Sequence, residues 1–119
     1  MIYDISYFLV KWRNIEYNIG NHFNGTIFTA PVAGLYSFFA MAKHRAATYT
    51  RIRLYVNGNS KIVSTNETKN DDIQSLPLQS TLKLEKGQTV ELRFGGTLYQ
   101  ASYGDRTYFE GRLISRIDE

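Results

Sequence analysis

Phe28-Thr29-Ala30-Pro31-Val32-Ala33-Gly34-Leu35-Tyr36-Ser37-Phe38-Phe39-Ala40-Met41-Ala42 is the longest apolar run in the chain, and its reading decides the fold. No charge appears in it until Lys43 follows. Thr29 to Gly34 reads as strand, turn, strand, because Pro31 and Gly34 punctuate it. Leu35 to Ala42 reads as a strand. Side chains alternate across a strand, so Leu35, Ser37, Phe39 and Met41 share one face, and Tyr36, Phe38, Ala40 and Ala42 share the other. Both faces are apolar, with Ser37 the one polar member. One face fills the core of the subunit. The other also needs cover, and in a chain of 119 residues the natural cover is a second copy.

Working outward, the same alternation recurs. Met1 to Val10 reads as a first strand, Ile15 to Ile19 as a short second one, and Gly20 to Gly25 as a turn. Lys43 to Thr48 reads as a polar loop. Tyr49 to Asn57 puts Thr50, Ile52, Leu54 and Val56 on one face and Arg51, Arg53 and Tyr55 on the other. Asn57-Gly58-Asn59 is a hairpin turn returning into Lys61 to Ser64. Thr65 to Gln74 is a long polar loop. Leu76, Leu78, Leu82 and Leu84 mark an inward face. Val90, Leu92 and Phe94 mark another, opposite Glu91 and Arg93. Thr97 to Tyr103 is a short strand, and Thr107 to Ile117 the last, with Phe109, Gly111, Leu113 and Ile117 on one face. No segment has a helical period. Many short strands with regular turns imply an all-β, antiparallel jelly-roll sandwich. Residues 1–119 are read as one domain.

Composition narrows the function classes. Cysteine is absent, which excludes disulfide staples, thiolate metal sites and a cysteine nucleophile. The net charge of +3 is mild and is the ordinary charge of a solvated surface. The start, Met1-Ile2-Tyr3-Asp4, lacks a leader pattern, and no run has membrane-spanning length. Nucleic-acid binding and membrane insertion are not expected. No nucleophile elbow, phosphate-binding glycine loop or paired catalytic carboxylates occur, so no enzyme is expected.

Four motifs in order resemble the C1q globular domain family of the tumour-necrosis-factor-like superfamily. Phe28, five residues, then Gly34-Leu35-Tyr36-Ser37-Phe38 is similar to the family's signature. Leu54-Tyr55-Val56-Asn57-Gly58 resembles its next hairpin. Leu82-Lys83-Leu84-Glu85-Lys86-Gly87-Gln88 resembles its leucine-rich strand and turn, with Gln88 where an acid is usual. Phe109-Glu110-Gly111-Arg112-Leu113 resembles its closing strand. The chain departs from the family at Ala40, often aromatic, and near Ala30, often cysteine. The resemblance implies about ten strands, a homotrimer, secretion, and a recognition module without cofactor. It assigns Tyr36, Phe38, Tyr55 and Phe109 to the trimer interface or the core. It also implies calcium near the trimer axis, yet Lys43 to Thr50 contains no acid to bind it.

The expected function is binding of multivalent ligands by avidity: microbial glycans, polyanions or protein partners, as in innate immunity. The alternatives are a structural trimerisation domain of a matrix or shell protein, and a cytokine-like receptor ligand. The candidate ligand residues are Lys43, His44, Arg45, Arg51, Arg53, Tyr103 and Arg106, because clustered cations and aromatics grip anionic or sugar groups. The competing reading of the arginines is a solvated face with cross-strand pairs to Glu91 or Glu110. Asp71 and Asp72, with Glu67 and Asn70, are the one acidic cluster available to calcium, without the spacing of an EF-hand. Asn24-Gly25-Thr26 and Asn66-Glu67-Thr68 fit the N-glycosylation pattern.

Overall fold

The computed structural model describes residues 7–11, 14–45, 50–66, 73–95 and 108–117. They form nine strands: β1 (Tyr7–Lys11), β2 (Asn14–Ile19), β3 (Ile27–Thr29), β4 (Gly34–Arg45), β5 (Thr50–Val56), β6 (Asn59–Asn66), β7 (Ile73–Leu84), β8 (Thr89–Gly95) and β9 (Tyr108–Arg116). One antiparallel sheet has the order β2-β1-β9-β4-β7 and the other β3-β8-β5-β6. Consecutive strands stay in one sheet only at β1–β2 and β5–β6. Every other connection crosses from one sheet to the other, which gives a jelly roll.

The core lies between the sheets. Tyr36, Phe38 and Ala40 of β4 are fully buried, as are Ile52 and Leu54 of β5 and Val90 of β8. The opening run therefore faces inward with its Tyr36–Phe38–Ala40 side. The resemblance leaves Tyr36 and Phe38 to the interface or the core, and the structure buries both between the sheets of one subunit. Phe28 meets Tyr36 edge-on at 5.5 Å and Phe38 at 5.6 Å, and Phe38 stacks on Phe109 at 6.2 Å. Phe38 pairs across the ladder with Gly111 of β9. Phe109 is likewise core.

Tyr36 is buried without an orphaned hydroxyl. It donates to the Val32 carbonyl at 2.7 Å and accepts from Val32 N–H at 3.4 Å, tying the turn before β4 to the core. Tyr36→Phe is expected to cost about 1 kcal/mol, the ordinary net worth of one hydrogen bond. A small fall in the urea midpoint with an unchanged slope checks it.

The turns follow their residues. Asn57 and Gly58 both have positive φ, the combination a two-residue hairpin with native twist requires. The Asn57 side-chain oxygen also accepts from Thr89 N–H at 2.9 Å, anchoring this hairpin to β8. At Glu85 to Gln88, the Gln88 Oε1 accepts from Glu85 N–H at 2.8 Å, so the amide fills the acceptor role a carboxylate would have.

Strand boundaries differ from the sequence reading, most of all in β4, β6 and β7. Lys43, His44 and Arg45 are not in a loop. They continue β4 and pair with Ser75, Gln74 and Ile73 of β7. Thr65 and Asn66 likewise extend β6, and Ile73 and Gln74 open β7. Polar residues extend these strands because ladder hydrogen bonds are made by the backbone, whatever the side chain. The expected strand at Thr97 to Tyr103 lies outside the described residues.

Candidate functional site

Two outward faces remain. The first is the outer surface of the four-stranded sheet. Ile52 and Leu54 point inward, so Arg51, Arg53 and Tyr55 between them are partly exposed on the outside. Register then adds what order in the chain does not show: Arg53 stands directly opposite Arg93 of β8, and Tyr55 opposite Glu91. Val63 of β6, half exposed, stands on the other side of Arg53.

Like charges directly opposite on a sheet repel. Arg93 is relieved of that repulsion. Its Nε and Nη2 donate to Glu91 Oε1 at 3.3 and 3.0 Å, and its guanidinium lies 4.0 Å from the centre of the Tyr55 ring. The bond to Glu91 holds the guanidinium above its ordinary pKa, outweighing the opposing effect of desolvation. Arg53 has no ion pair among the described residues. Among the described residues, this face carries the guanidiniums of Arg51, Arg53 and Arg93 and the carboxylate of Glu91. Glu110, a possible cross-strand partner in the sequence reading, lies instead on β9 in the other sheet.

The second face is the outer surface of the five-stranded sheet. It carries the other half of the opening run: Leu35 (37% exposed), Ser37, Phe39 and Met41. Phe39 leans on Tyr108 at 5.7 Å. Around them Ser37, Phe39, Gln79, Tyr108, Glu110 and Arg112 enclose a hollow of about 430 Å³, floored by Gly111. Ile114, the unpaired residue of the β4–β9 bulge, is 51% exposed at one end.

The expected ligand residues are therefore divided. Arg51 and Arg53 share the first face with Tyr55. Lys43, His44 and Arg45 belong to the other sheet, so the five cations are not one strand-and-loop cluster. Tyr103, Arg106, Asp71 and Asp72 lie outside the described residues. Asn24 sits in the β2–β3 turn, and Asn66 closes β6, paired with Thr50. Among the described residues no group of three or more His, Asp or Glu gathers as a metal site. Sequence reasoning missed Arg93. The available signal was Glu91 and Arg93 two apart on one outward face, beside a strand with two outward arginines.

The C1q domain family profile matches residues 4–114. The chain belongs to the C1q domain family. Among curated proteins it is similar to complement C1q tumor necrosis factor-related protein 3 of Mus musculus, 35% identical over 109 residues, 88% of this chain and 44% of that protein. The Homo sapiens counterpart is 32% identical over 108 residues, with the same coverage of both chains. This C1q domain thus spans less than half the length of the curated relatives it matches. In fold it is similar to the globular domain of zebrafish complement 1qA, with a TM-score of 0.75 at 18% identity, covering 95% of this chain and 99% of that one. Murine APRIL gives 0.71 at 12% identity, covering 92% and 99%. The jelly roll of this C1q domain is thus shared with complement and tumour-necrosis-factor-type proteins.

Proposed function

We propose that this C1q domain is a secreted, non-enzymatic recognition module that acts as a homotrimer. Its ligands are surfaces bearing repeated anionic groups, sulfated or carboxylated glycans foremost. The observation that carries the ligand class is Arg53 set opposite Arg93 on an outward sheet face. A sulfate or carboxylate bridging the two guanidiniums would replace repulsion by charge-assisted hydrogen bonds, and Tyr55 and Val63 offer apolar flanks for a sugar ring. Self-association is supported by family membership and by the second face. Leu35, Phe39, Met41, Tyr108 and Ile114 are more apolar than an outward sheet surface needs to be. Three copies joined there would present three arginine faces. Once one face is engaged, the other two bind intramolecularly, which multiplies affinity for a dense ligand. Calcium has no place in this mechanism.

Retention on a dense sulfated-polysaccharide surface tests the reading. The domain is expected to bind at low salt, to weaken steadily as salt rises, and to be indifferent to a calcium chelator. Arg53→Ala and Arg93→Ala should each weaken binding at least tenfold. The Arg93 change should weaken it more, because it also leaves Glu91 unpaired against the anion. Wild-type protein that is not retained at low salt overturns the ligand class, as do arginine variants that bind like wild type.

A further inference from the structure

We propose that Asn24 is an N-glycan acceptor, set in an exposed turn that already holds its side chain in a reactive arrangement. The acceptor pattern Asn24-Gly25-Thr26 lies between β2 and β3, the edge strands of the two sheets. All three residues are exposed. The Asn24 Oδ1 accepts from Thr26 N–H at 2.9 Å and from Ile27 N–H at 2.7 Å. An asparagine bonded to the backbone two residues on forms an Asx turn. Two donors on Oδ1 draw charge from the amide, which makes an Nδ2 proton easier to remove. They also hold the exposed side chain in place, and Nδ2 makes no hydrogen bond to the described residues.

Neighbouring Asn18 shows the contrast, since its Nδ2 is committed to the Phe23 carbonyl at 2.7 Å. There is also room for a bulky substituent. A Cβ added at Gly25, whose φ is +98°, would meet nothing within 4 Å. The step is a transfer from a lipid-pyrophosphate-linked oligosaccharide. Nδ2 forms a bond to C1 of the first sugar, the bond from C1 to the pyrophosphate oxygen breaks, and the Nδ2 proton leaves to a base of the transferase. Asn66, by contrast, closes β6 with its backbone in the β5–β6 ladder opposite Thr50.

The inference rests on the secretory passage proposed above, and its test imposes that passage by a leader sequence, so the two readings fail separately. The domain is secreted from animal cells, and its intact mass is measured before and after treatment with a glycan-removing amidase. Wild type and Asn66→Gln are expected to lose one glycan. Thr26→Val should carry none, while keeping both Asn24 bonds because Thr26 donates through its backbone. Near-wild-type melting of Thr26→Val confirms that it folds. Secreted wild type without a glycan overturns the assignment, as does a glycan that survives Thr26→Val and disappears in Asn66→Gln.

Discussion

Gly34→Ala is expected to lower stability by about 3 kcal/mol, the upper range for forcing one methyl group into a packed site. The reason is distance to backbone. A Cβ at Gly34 would stand 2.6 Å from the Ser115 carbonyl oxygen and 2.9 Å from Leu113 Cδ1. The leucine can turn away, but the carbonyl belongs to β9 and moves only with the strand. Gly34 sits where the β4–β9 register shifts, so the two backbones approach more closely than an ordinary ladder allows. A fall in melting temperature of roughly 10 °C is expected for a domain of this size. Gly58→Ala is the control. Its Cβ would meet nothing within 4 Å, leaving only the left-handed φ as a cost of about 1 kcal/mol. If Gly34→Ala melted like wild type, the close approach would not constrain the fold. Two glycines equally costly would mean that the close approach at Gly34 costs no more than the left-handed φ of Gly58.

Phe39→Glu is expected to yield a folded monomer and to reduce binding to a dense polyanion surface by about 10²- to 10⁴-fold, the range that multivalency supplies. Phe39 points away from the core, toward the hollow with Tyr108 and Arg112. Its loss therefore spares the aromatic cluster between the sheets. A carboxylate placed there in three copies would have to be desolvated on assembly, which disfavours it strongly. Light scattering gives the mass, and thermal melting separates a folded monomer from a collapsed chain. A wild type that is itself monomeric would remove the avidity mechanism. A trimeric Phe39→Glu would place the subunit contact on another face.

The opening run shows how far alternation can be read. From residue order alone, Leu35 to Ala42 has two apolar faces, and that much holds in the structure. Which face is internal is not written in the strand. It depends on what the opposite sheet offers. Phe28, Ile52, Leu54 and Val90 form a surface that the Tyr36–Phe38 side meets. A tyrosine at its centre was an ambiguous sign, since tyrosine is at home in interfaces as well as cores. The bonds of its hydroxyl to the Val32 backbone make complete burial acceptable. The same holds for Lys43 to Arg45. Charge suggested a loop, but the facing strand β7 is long enough to continue the ladder.

Sequence by itself determined that the chain is an antiparallel β-sandwich, that it resembles the C1q domain, and that β4 has an apolar face to spare. Strand alternation and turn chemistry are local, so residue order carries them. Tertiary structure alone decided that the spare face is Leu35–Phe39–Met41. It also decided that Arg53, forty residues away in sequence, stands opposite Arg93. Pairing between distant strands depends on register, and register is fixed by how the inward side chains of both sheets pack together rather than by any one segment.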